Sequence, residues 1–320
     1  MATIIDVEGL AASKIRALFY GKGGSGKTRL VGSAGMSIHT APALMVSIGG
    51  NPISIRGYDK LPTMVDLEEL KELDSLYDFF VLGQPKTNSW WTNLKMEVPF
   101  KSLILDGCSR VQQQVMDMIT GNKSHKVSVA ATRREMLDYG KNLDTMGPWA
   151  NQIFSLADNR ARLPVHVFMT ALEHDPSPDT RSKEAQASSI NTPSPTKAMY
   201  RPLFFGQVLN YIEADAYIIG RMVQVERMRG KLAKPVVDRH AYVNQLPQDA
   251  YSVCLLQQTL EYMAKDQYGR LGSYLVNPTV DLIANMLYGK EPIDLTNHRF
   301  VNEDTVSTDN NNNEQLSLGE

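Results

Sequence analysis

The residues with the clearest chemistry lie near the start of the chain, where residues 21–28 read GKGGSGKT. This octapeptide fits the phosphate-binding pattern G-x-x-x-x-G-K-[ST] without a mismatch. Its glycines let backbone N–H groups turn inward around a phosphate, and a following helix adds the positive end of its dipole. Lys27 would supply positive charge to the β and γ phosphates, and Thr28 would offer its hydroxyl to Mg²⁺. The predicted nucleotide-binding residues are Gly21, Lys22, Gly23, Gly24, Ser25, Gly26, Lys27 and Thr28.

A second acidic site is expected at the end of a neighbouring strand, because an aspartate there commonly helps to hold the Mg²⁺ of a bound triphosphate. Asp106 directly follows the apolar run SLIL of residues 102–105 and fits this position. Thr28 and Asp106 are therefore the predicted metal-site residues, and Lys27 and Asp106 are predicted to take part in catalysis.

Alternating strands and helices are predicted around these residues. Apolar runs indicate strands at residues 15–20, 43–48, 102–105 and 165–171. Helical patterns occupy residues 27–39, 66–80, 111–119 and 134–158, the last broken near Gly147–Pro148. Later elements are a helix near 203–213, strands at 216–225, 236–243 and 251–258, and a helix at 278–288. Strands that alternate with helices predict an α/β fold with a mostly parallel sheet, and the late strands are expected to be antiparallel.

Length and composition indicate one large domain with an appended tail. The chain has 320 residues. Its net charge of −2 excludes a globally basic protein, and its two cysteines are too few for a disulfide framework. Residues 175–200 are rich in Pro, Ser and Thr and predict a long mobile loop within a domain of residues 1–301. Residues 302–320 are acidic and predict a disordered tail. No run is long and apolar enough for a membrane span, so a cytoplasmic protein is expected.

The order of these motifs resembles the RecA/RadA-type ATPase core. The glycine loop is followed by LILDGCSR at residues 103–110 and by TALEH at residues 170–174. In particular, residues 14–290 resemble compact phage RecA-like proteins that act as ATP-linked single-strand annealing proteins. The resemblance implies a RecA-like P-loop NTPase core, with helices on both faces of the sheet and antiparallel strands at the C-terminal edge. It also implies ATP and Mg²⁺ as cofactors, ATPase activity, single-stranded DNA binding, a role in recombination, and the host cytoplasm if the protein is phage-encoded.

The same resemblance implies a catalytic residue supplied by a neighbouring subunit. Residues 265–269 read KDQYG and resemble the Lys-x-Arg-x-Gly motif, whose basic residues reach into the next subunit's nucleotide site. Carried over, Lys265 is a residue that acts in trans, which implies a ring or filament of copies of this chain. The arginine of that motif is Gln267 here.

Two segments occupy the positions where RecA-like proteins place their DNA-contacting loops. Residues 121–134 form the first, and its basic side chains suit contacts to phosphates that do not depend on sequence. The predicted DNA-binding residues are Lys123, Lys126, Arg133 and Arg134. Residues 175–200 form the second.

The acidic tail is a candidate competitor of DNA for the basic loops, or a contact for a single-strand-binding protein.

One departure from the family concerns hydrolysis. RecA-like ATPases carry a glutamate at the end of the second strand to activate the attacking water, whereas residues 47–52 read SIGGNP. Glu173 is the nearest substitute that the order of the chain allows. We therefore expect slow hydrolysis, because loss of a water-orienting group costs rate while leaving binding intact.

Two alternatives stay open. The loop also matches the deviant P-loop of ParA/MinD-like ATPases, in which the extra lysine, here Lys22, crosses a dimer interface. Against this, the chain lacks the Asp-x-Asp-Pro-Gln switch of that group after the second strand. The other alternative is an ATP-binding assembly protein without significant turnover.

Overall fold

The structure, a computed structural model, describes residues 14–49, 53–67, 71–94, 98–119, 136–158, 160–174, 199–204, 207–226 and 250–289. Its strands are β1 (Arg16–Gly21), β2 (Ala43–Ser47), β3 (Thr63–Asp66), β4 (Ser102–Asp106), β5 (His166–His174), β6 (Arg201–Pro202), β7 (Ile218–Glu226), β8 (Ala250–Leu255), β9 (Lys265–Asp266) and β10 (Tyr274–Val276). Its α-helices are α1 (Lys27–Gly32), α2 (Lys71–Val81), α3 (Ser89–Leu94), α4 (Cys108–Ile119), α5 (Met136–Ser155), α6 (Val208–Asp215) and α7 (Val280–Tyr288).

All ten described strands form one mixed sheet in the order β10-β8-β7-β1-β5-β4-β2-β3, with β6 beside β5 and β9 beside β7. The strands from β3 to β7 in that order pair in parallel. β8 and β10 pair antiparallel beyond β7. The predicted α/β fold with a mostly parallel sheet is confirmed. Of the late strands, β8 is antiparallel to its neighbours as expected, whereas β7 pairs in parallel with β1 and antiparallel with β8. β1 lies in the interior of the sheet, between β5 and β7.

Side chains alternate between the two faces of the sheet along each strand. Because both faces carry apolar side chains, helices cover both. From β1, Leu18 and Tyr20 enter one apolar cluster with residues of α2, α4, α5 and α6. Ala17 and Phe19 enter a second cluster with α1 and α7. Every residue of β1 is buried, as expected for a central parallel strand covered on both sides.

The first predicted helix is shorter than expected. α1 ends at Gly32 and continues as a single 3₁₀ turn over Ser33–Gly35, rather than reaching residue 39. Two hydroxyls bond to local carbonyls here: Ser33 donates to the oxygen of Leu30, and Thr40 donates to that of Ala34. Such bonds compete with the helix ladder and favour its end.

The predicted helix over residues 66–80 is only partly correct. Residues 63–66 form β3, a strand absent from the prediction, which pairs in parallel with β2 at the edge of the sheet. The helix starts at the described residue Lys71. β3 has only four residues, and their burial alternates. So short a pattern cannot be distinguished in the sequence from the helical pattern that follows it.

The expected break at Gly147–Pro148 is wrong, since α5 runs without interruption from Met136 to Ser155. A proline removes one hydrogen bond from a helix interior, and this cost is normally several kcal/mol. Tertiary packing offsets it here. The α carbon of Gly147 packs so closely against Tyr211 of α6 that an added Cβ would lie 3.0 Å from the ring.

Several sequence-based predictions lie outside the described residues. These are the predicted DNA contacts Lys123, Lys126, Arg133 and Arg134, the predicted strand 236–243 and the tail 302–320, together with nearly all of the predicted mobile loop 175–200. None of the described helices combines the length and apolar character needed to cross a membrane.

Candidate phosphate- and metal-binding site

The glycine loop connects β1 to α1 at the carboxyl end of the parallel strands. Gly24 and Gly26 have φ values of 79° and 94°, a region that glycine adopts without steric cost. An added Cβ on Gly26 would lie 2.5 Å from Oγ of Ser252 on β8. One on Gly21 would lie 2.2 Å from the carbonyl oxygen of Met222 on β7. The loop therefore needs glycine both for its turn and for its close packing against β7 and β8.

Lys27 points back into the loop rather than out to solvent. Its Nζ donates hydrogen bonds of 2.8 Å to the carbonyl oxygens of Gly21 and Lys22. Burial lowers the pKa of Lys27 to about 8, against the raising effects of the carboxylates of Asp106 and Glu173. The hydrogen-bond partners of this buried ammonium group are two neutral carbonyl oxygens. The group is therefore placed where it could bind a negatively charged phosphate.

Asp106 ends β4 and joins the glycine loop to β5. Its Oδ2 accepts a 2.9 Å hydrogen bond from the hydroxyl of Thr28, and its Oδ1 accepts a 2.5 Å bond from the hydroxyl of Thr170. Thr170 lies on β5, between β1 and β4 in the sheet, and its Oγ1 also accepts from the backbone N–H of Gly107 at 2.9 Å. Thr28 and Asp106, the two residues predicted to serve the metal, are thus in direct contact. Thr170 holds the carboxylate of Asp106 from the other side.

The oxygens of Thr28 and Asp106 suit a Mg²⁺ ion that shares its ligands with phosphate and water, rather than a metal ion bound by protein side chains alone. Within the described part of the chain, no group of three or more His, Cys, Asp and Glu side chains is arranged to hold a metal ion. Mg²⁺ is commonly bound through one or two protein oxygens together with substrate phosphates and water. A threonine hydroxyl beside one carboxylate matches that donor set, so Thr28 and Asp106 fit the predicted role.

Ser25 adds a polar group within the loop. Its side-chain oxygen is buried and has no hydrogen-bond partner among the described residues. A buried hydroxyl without a partner costs free energy, so such groups are uncommon in folded proteins. The hydroxyl of Ser25 is available to a ligand that enters the loop.

The end of β2, where the family places its glutamate, carries no carboxylate. Ser47 is buried and pairs in register with Asp106. Gly49 follows with a φ of 63°, and an added Cβ would lie 2.8 Å from Nη1 of Arg110 on α4. A guanidinium group thus packs against the backbone at this point and would have to move to admit a side chain on Gly49, whose positive φ also favours glycine.

Glu173, the predicted substitute, lies near the end of β5 with its side chain 2% exposed. Its Oε2 accepts a 2.7 Å hydrogen bond from Nε of Arg221 on β7. Its Oε1 is buried and has no hydrogen-bond partner among the described residues. Glu173 raises the pKa of Lys27, so its carboxylate lies close enough to act on the lysine of the glycine loop.

Lys265 lies apart from this site in its own chain. It belongs to β9, and its Nζ donates to the carbonyl oxygen of Glu213 in α6. Glu213 precedes β7, so this contact lies toward the start of β7, whereas the glycine loop follows the end of the parallel neighbour β1. Lys265 therefore does not join the residues around Asp106 within one chain, and its role in trans stays a prediction.

Two histidines and a tryptophan pair have clear positions. His166 is buried, and its Nδ1 accepts from the backbone N–H of Ile15, while burial lowers its pKa to about 3. These contacts give His166 a structural role. Trp91 is buried in the apolar cluster beside Phe79, and Trp90 is partly buried against the same cluster, so both pack on the core. His174 ends β5, and its Nδ1 is buried without a partner among the described residues.

Three residues at this site were not identified from the sequence. Arg221 pairs with Glu173, Gln224 donates from Nε2 to the carbonyl oxygen of Gly24 at 2.7 Å, and Ser252 packs against Gly26. All three come from β7 and β8, about 200 residues or more after the glycine loop, and no local pattern in the sequence marks them.

A scan against models of known protein families gives no match, and a search of curated proteins finds no matching relative. The fold and the site themselves define an α/β protein with a mostly parallel sheet and a glycine loop at the carboxyl end of its parallel strands.

Proposed function

We propose that this protein binds ATP with Mg²⁺ at the loop of residues 21–28, hydrolyses it slowly, and couples this to binding and annealing single-stranded DNA. The observation that carries the nucleotide proposal is the 2.9 Å hydrogen bond between Thr28 and Asp106, next to the inward-pointing Lys27. It supports a phosphate cradle and a metal position that adjoin each other.

Two polar groups of the loop are suited to the oxygen atoms of a phosphate. Lys27 is a buried cation whose hydrogen-bond partners in the loop are neutral carbonyl groups, and Ser25 has a buried hydroxyl without a partner among the described residues. A triphosphate would supply acceptor oxygens to both. Mg²⁺ would neutralise part of the phosphate charge when held beside Thr28 and Asp106.

Slow turnover is proposed from the end of β2. The family's glutamate position falls in a stretch where Ser47 is buried and Gly49 packs against Arg110. Besides Asp106, which is assigned to the metal, Glu173 is a carboxylate whose charge acts on Lys27, and it belongs to a different strand from β2. A water-orienting group that lies in a different place is expected to give a lower rate than the family's arrangement.

The DNA part of the proposal rests on the resemblance to compact phage RecA-like annealing proteins. In this proposal the basic side chains of residues 121–134 bind DNA phosphates, and Lys265 completes the nucleotide site of a neighbouring copy in a ring or filament. A bound nucleotide would then link assembly to DNA binding.

The test measures ATP affinity and ATP turnover of the full chain, with and without single-stranded DNA, for the wild type and for Lys27→Ala. Lys101→Ala serves as a matched control, since Lys101 is an exposed lysine away from the loop. We expect Lys27→Ala to abolish turnover and to weaken nucleotide binding at least about tenfold, because it removes a charge-assisted phosphate contact. We expect DNA to raise the turnover of the wild type.

Each alternative predicts a different result. If ATP binds and drives assembly without measurable turnover, the ATP-binding assembly protein is favoured. If ATP drives dimerisation that Lys22→Ala abolishes, and DNA leaves turnover unchanged, the ParA/MinD-like alternative is favoured. If neither ATP nor another nucleoside triphosphate binds, the whole proposal fails.

A further inference from the structure

An ion pair between two strands lies beside the phosphate-binding loop. Glu173 on β5 and Arg221 on β7 flank β1, the strand that leads into the loop. Nε of Arg221 lies 2.7 Å from Oε2 of Glu173, and the two side chains are 13% and 2% exposed. Ion pairs this deeply buried are costly to form, and removing one partner leaves a charge without compensation. Such a pair needs a reason to be retained.

Arg221 is held in place from a second direction by aromatic rings. Its guanidinium carbon lies 3.8 Å from the centre of the Tyr200 ring and 5.5 Å from that of Tyr262. The hydroxyl of Tyr20, near the end of β1, donates to the carbonyl oxygens of Tyr200 and Met263. The backbone of Tyr200 and that of Met263, the residue after Tyr262, are therefore tied to the strand that leads into the loop. A planar guanidinium group can stack on a ring while its edge donates to a carboxylate, whereas a lysine ammonium group cannot do both.

This arrangement leaves the two oxygens of Glu173 in different states. Oε2 is occupied by Arg221, while Oε1 is buried and has no hydrogen-bond partner among the described residues. An ionised carboxylate accepts several hydrogen bonds, so the open oxygen can accept one from a water molecule. Because Oε2 is fixed, the position of Oε1 is fixed as well.

We propose that Arg221 is a positioning residue for hydrolysis, which holds Glu173 so that Oε1 accepts a proton from the attacking water. This inference rests on the proposed function. The water oxygen forms a bond to the γ-phosphorus, and the bond from that phosphorus to the β,γ-bridging oxygen breaks. The water proton passes to Oε1 of Glu173, and the electron pair of the broken bond stays on ADP. The proton then leaves to solvent, which restores the carboxylate.

The experiment compares kcat, KM and the dissociation constant of ATP for the wild type, Glu173→Gln, Arg221→Gln, Arg221→Lys and the double variant Glu173→Gln/Arg221→Gln. Arg160→Gln is a matched control, because Arg160 is exposed and precedes β5, at the opposite end of that strand from Glu173. Circular dichroism checks that every variant is folded. Arg221→Lys keeps the charge in the buried position, so it provides a folded comparison if Arg221→Gln does not fold.

Expected results separate positioning from a general structural role. Glu173→Gln should lower kcat about 100-fold and leave the dissociation constant of ATP within about threefold, as for loss of a general base. Arg221→Gln should lower kcat about as much, and Arg221→Lys should recover about tenfold of that loss. The double variant should be no slower than Glu173→Gln alone, because residues that act as a unit are not additive.

Four outcomes would overturn the inference. They are an unchanged kcat in Glu173→Gln, an unchanged or raised kcat in Arg221→Gln, additive losses in the double variant, and a loss in Arg221→Lys equal to that in Arg221→Gln. If Lys27→Ala still abolishes turnover in any of these cases, the proposed function stands and only the positioning role fails. If the wild type does not bind ATP, the proposed function fails first and the inference fails with it.

Discussion

Replacing Lys27 with methionine is expected to change how the stability of the protein depends on pH. Burial lowers the pKa of this lysine from 10.5 to about 8 in the folded protein. Between these two values the unfolded chain keeps a proton that the folded protein has lost. The unfolded state then binds more protons, so the free energy of unfolding rises as the pH rises through this window. Below about pH 8 both states are protonated, and the folded protein carries the full cost of the buried charge.

The size of the effect follows from the two pKa values. One pKa unit corresponds to about 1.4 kcal/mol, so the complete effect is about 3 kcal/mol. Only part of it falls in a practical range. Between about pH 7 and about pH 9, the wild type should gain about 1.4 kcal/mol relative to Lys27→Met. Other groups titrate equally in both proteins, and their contribution cancels in the difference.

The assay is urea unfolding of both proteins, followed by circular dichroism at several pH values without nucleotide. Lys101→Met, which replaces an exposed lysine, reports any drift of the method with pH. Saturating ATP should reduce the pH dependence of the wild type, because the phosphates would favour the charged form of Lys27. A difference between wild type and Lys27→Met that stays flat, or that falls as the pH rises, would refute the reasoning about the buried ammonium group.

Two further predictions concern the surroundings of the loop. Gly26→Ala should abolish nucleotide binding in a titration with ATP, because its Cβ would lie 2.5 Å from Oγ of Ser252 at a φ of 94°. Gly140→Ala on α5, whose Cβ would meet nothing within 4 Å, should leave binding nearly unchanged, and equal losses in both would contradict the steric argument. Thr170→Val should lower the free energy of unfolding in urea by about 1–3 kcal/mol, because it removes the donor to Asp106 and an acceptor for a backbone N–H. A loss below about 0.5 kcal/mol would show that these bonds contribute little.

The glycine loop and Asp106 were predictable from the sequence because both are local signals. The loop is a contiguous pattern, and Asp106 ends a short apolar run, so each could be identified without knowing the fold. Parallel pairing then brings the strand ends to one edge of the sheet, which explains why Thr28 and Asp106 meet. Glu173 could be ranked as a substitute only by its position after an apolar strand.

The rest of the site depends on contacts between distant parts of the chain. Arg221 meets Glu173 because β5 and β7 both pair with β1, and that order cannot be deduced from the local pattern of either strand. The unbroken course of α5 through Pro148 has the same origin, since packing against α6 outweighs the local preference for a break. β3 was missed for another reason, because four half-exposed residues carry too little periodicity to be separated from a following helix.

The position of β1 in the sheet has a consequence for synthesis of the protein on the ribosome. β1 is made early, but its partners begin to pair at Val167 on β5 and at Ile218 on β7. At roughly 5–20 residues per second, about 10–40 s pass between translation of β1 and translation of its second neighbour. Until β5 is made, a strand whose six residues are all buried in the folded protein has neither neighbour, and until β7 is made it has only one. Nascent chains that stop before β7 therefore leave one edge of β1 without its partner and lack one wall of the glycine loop.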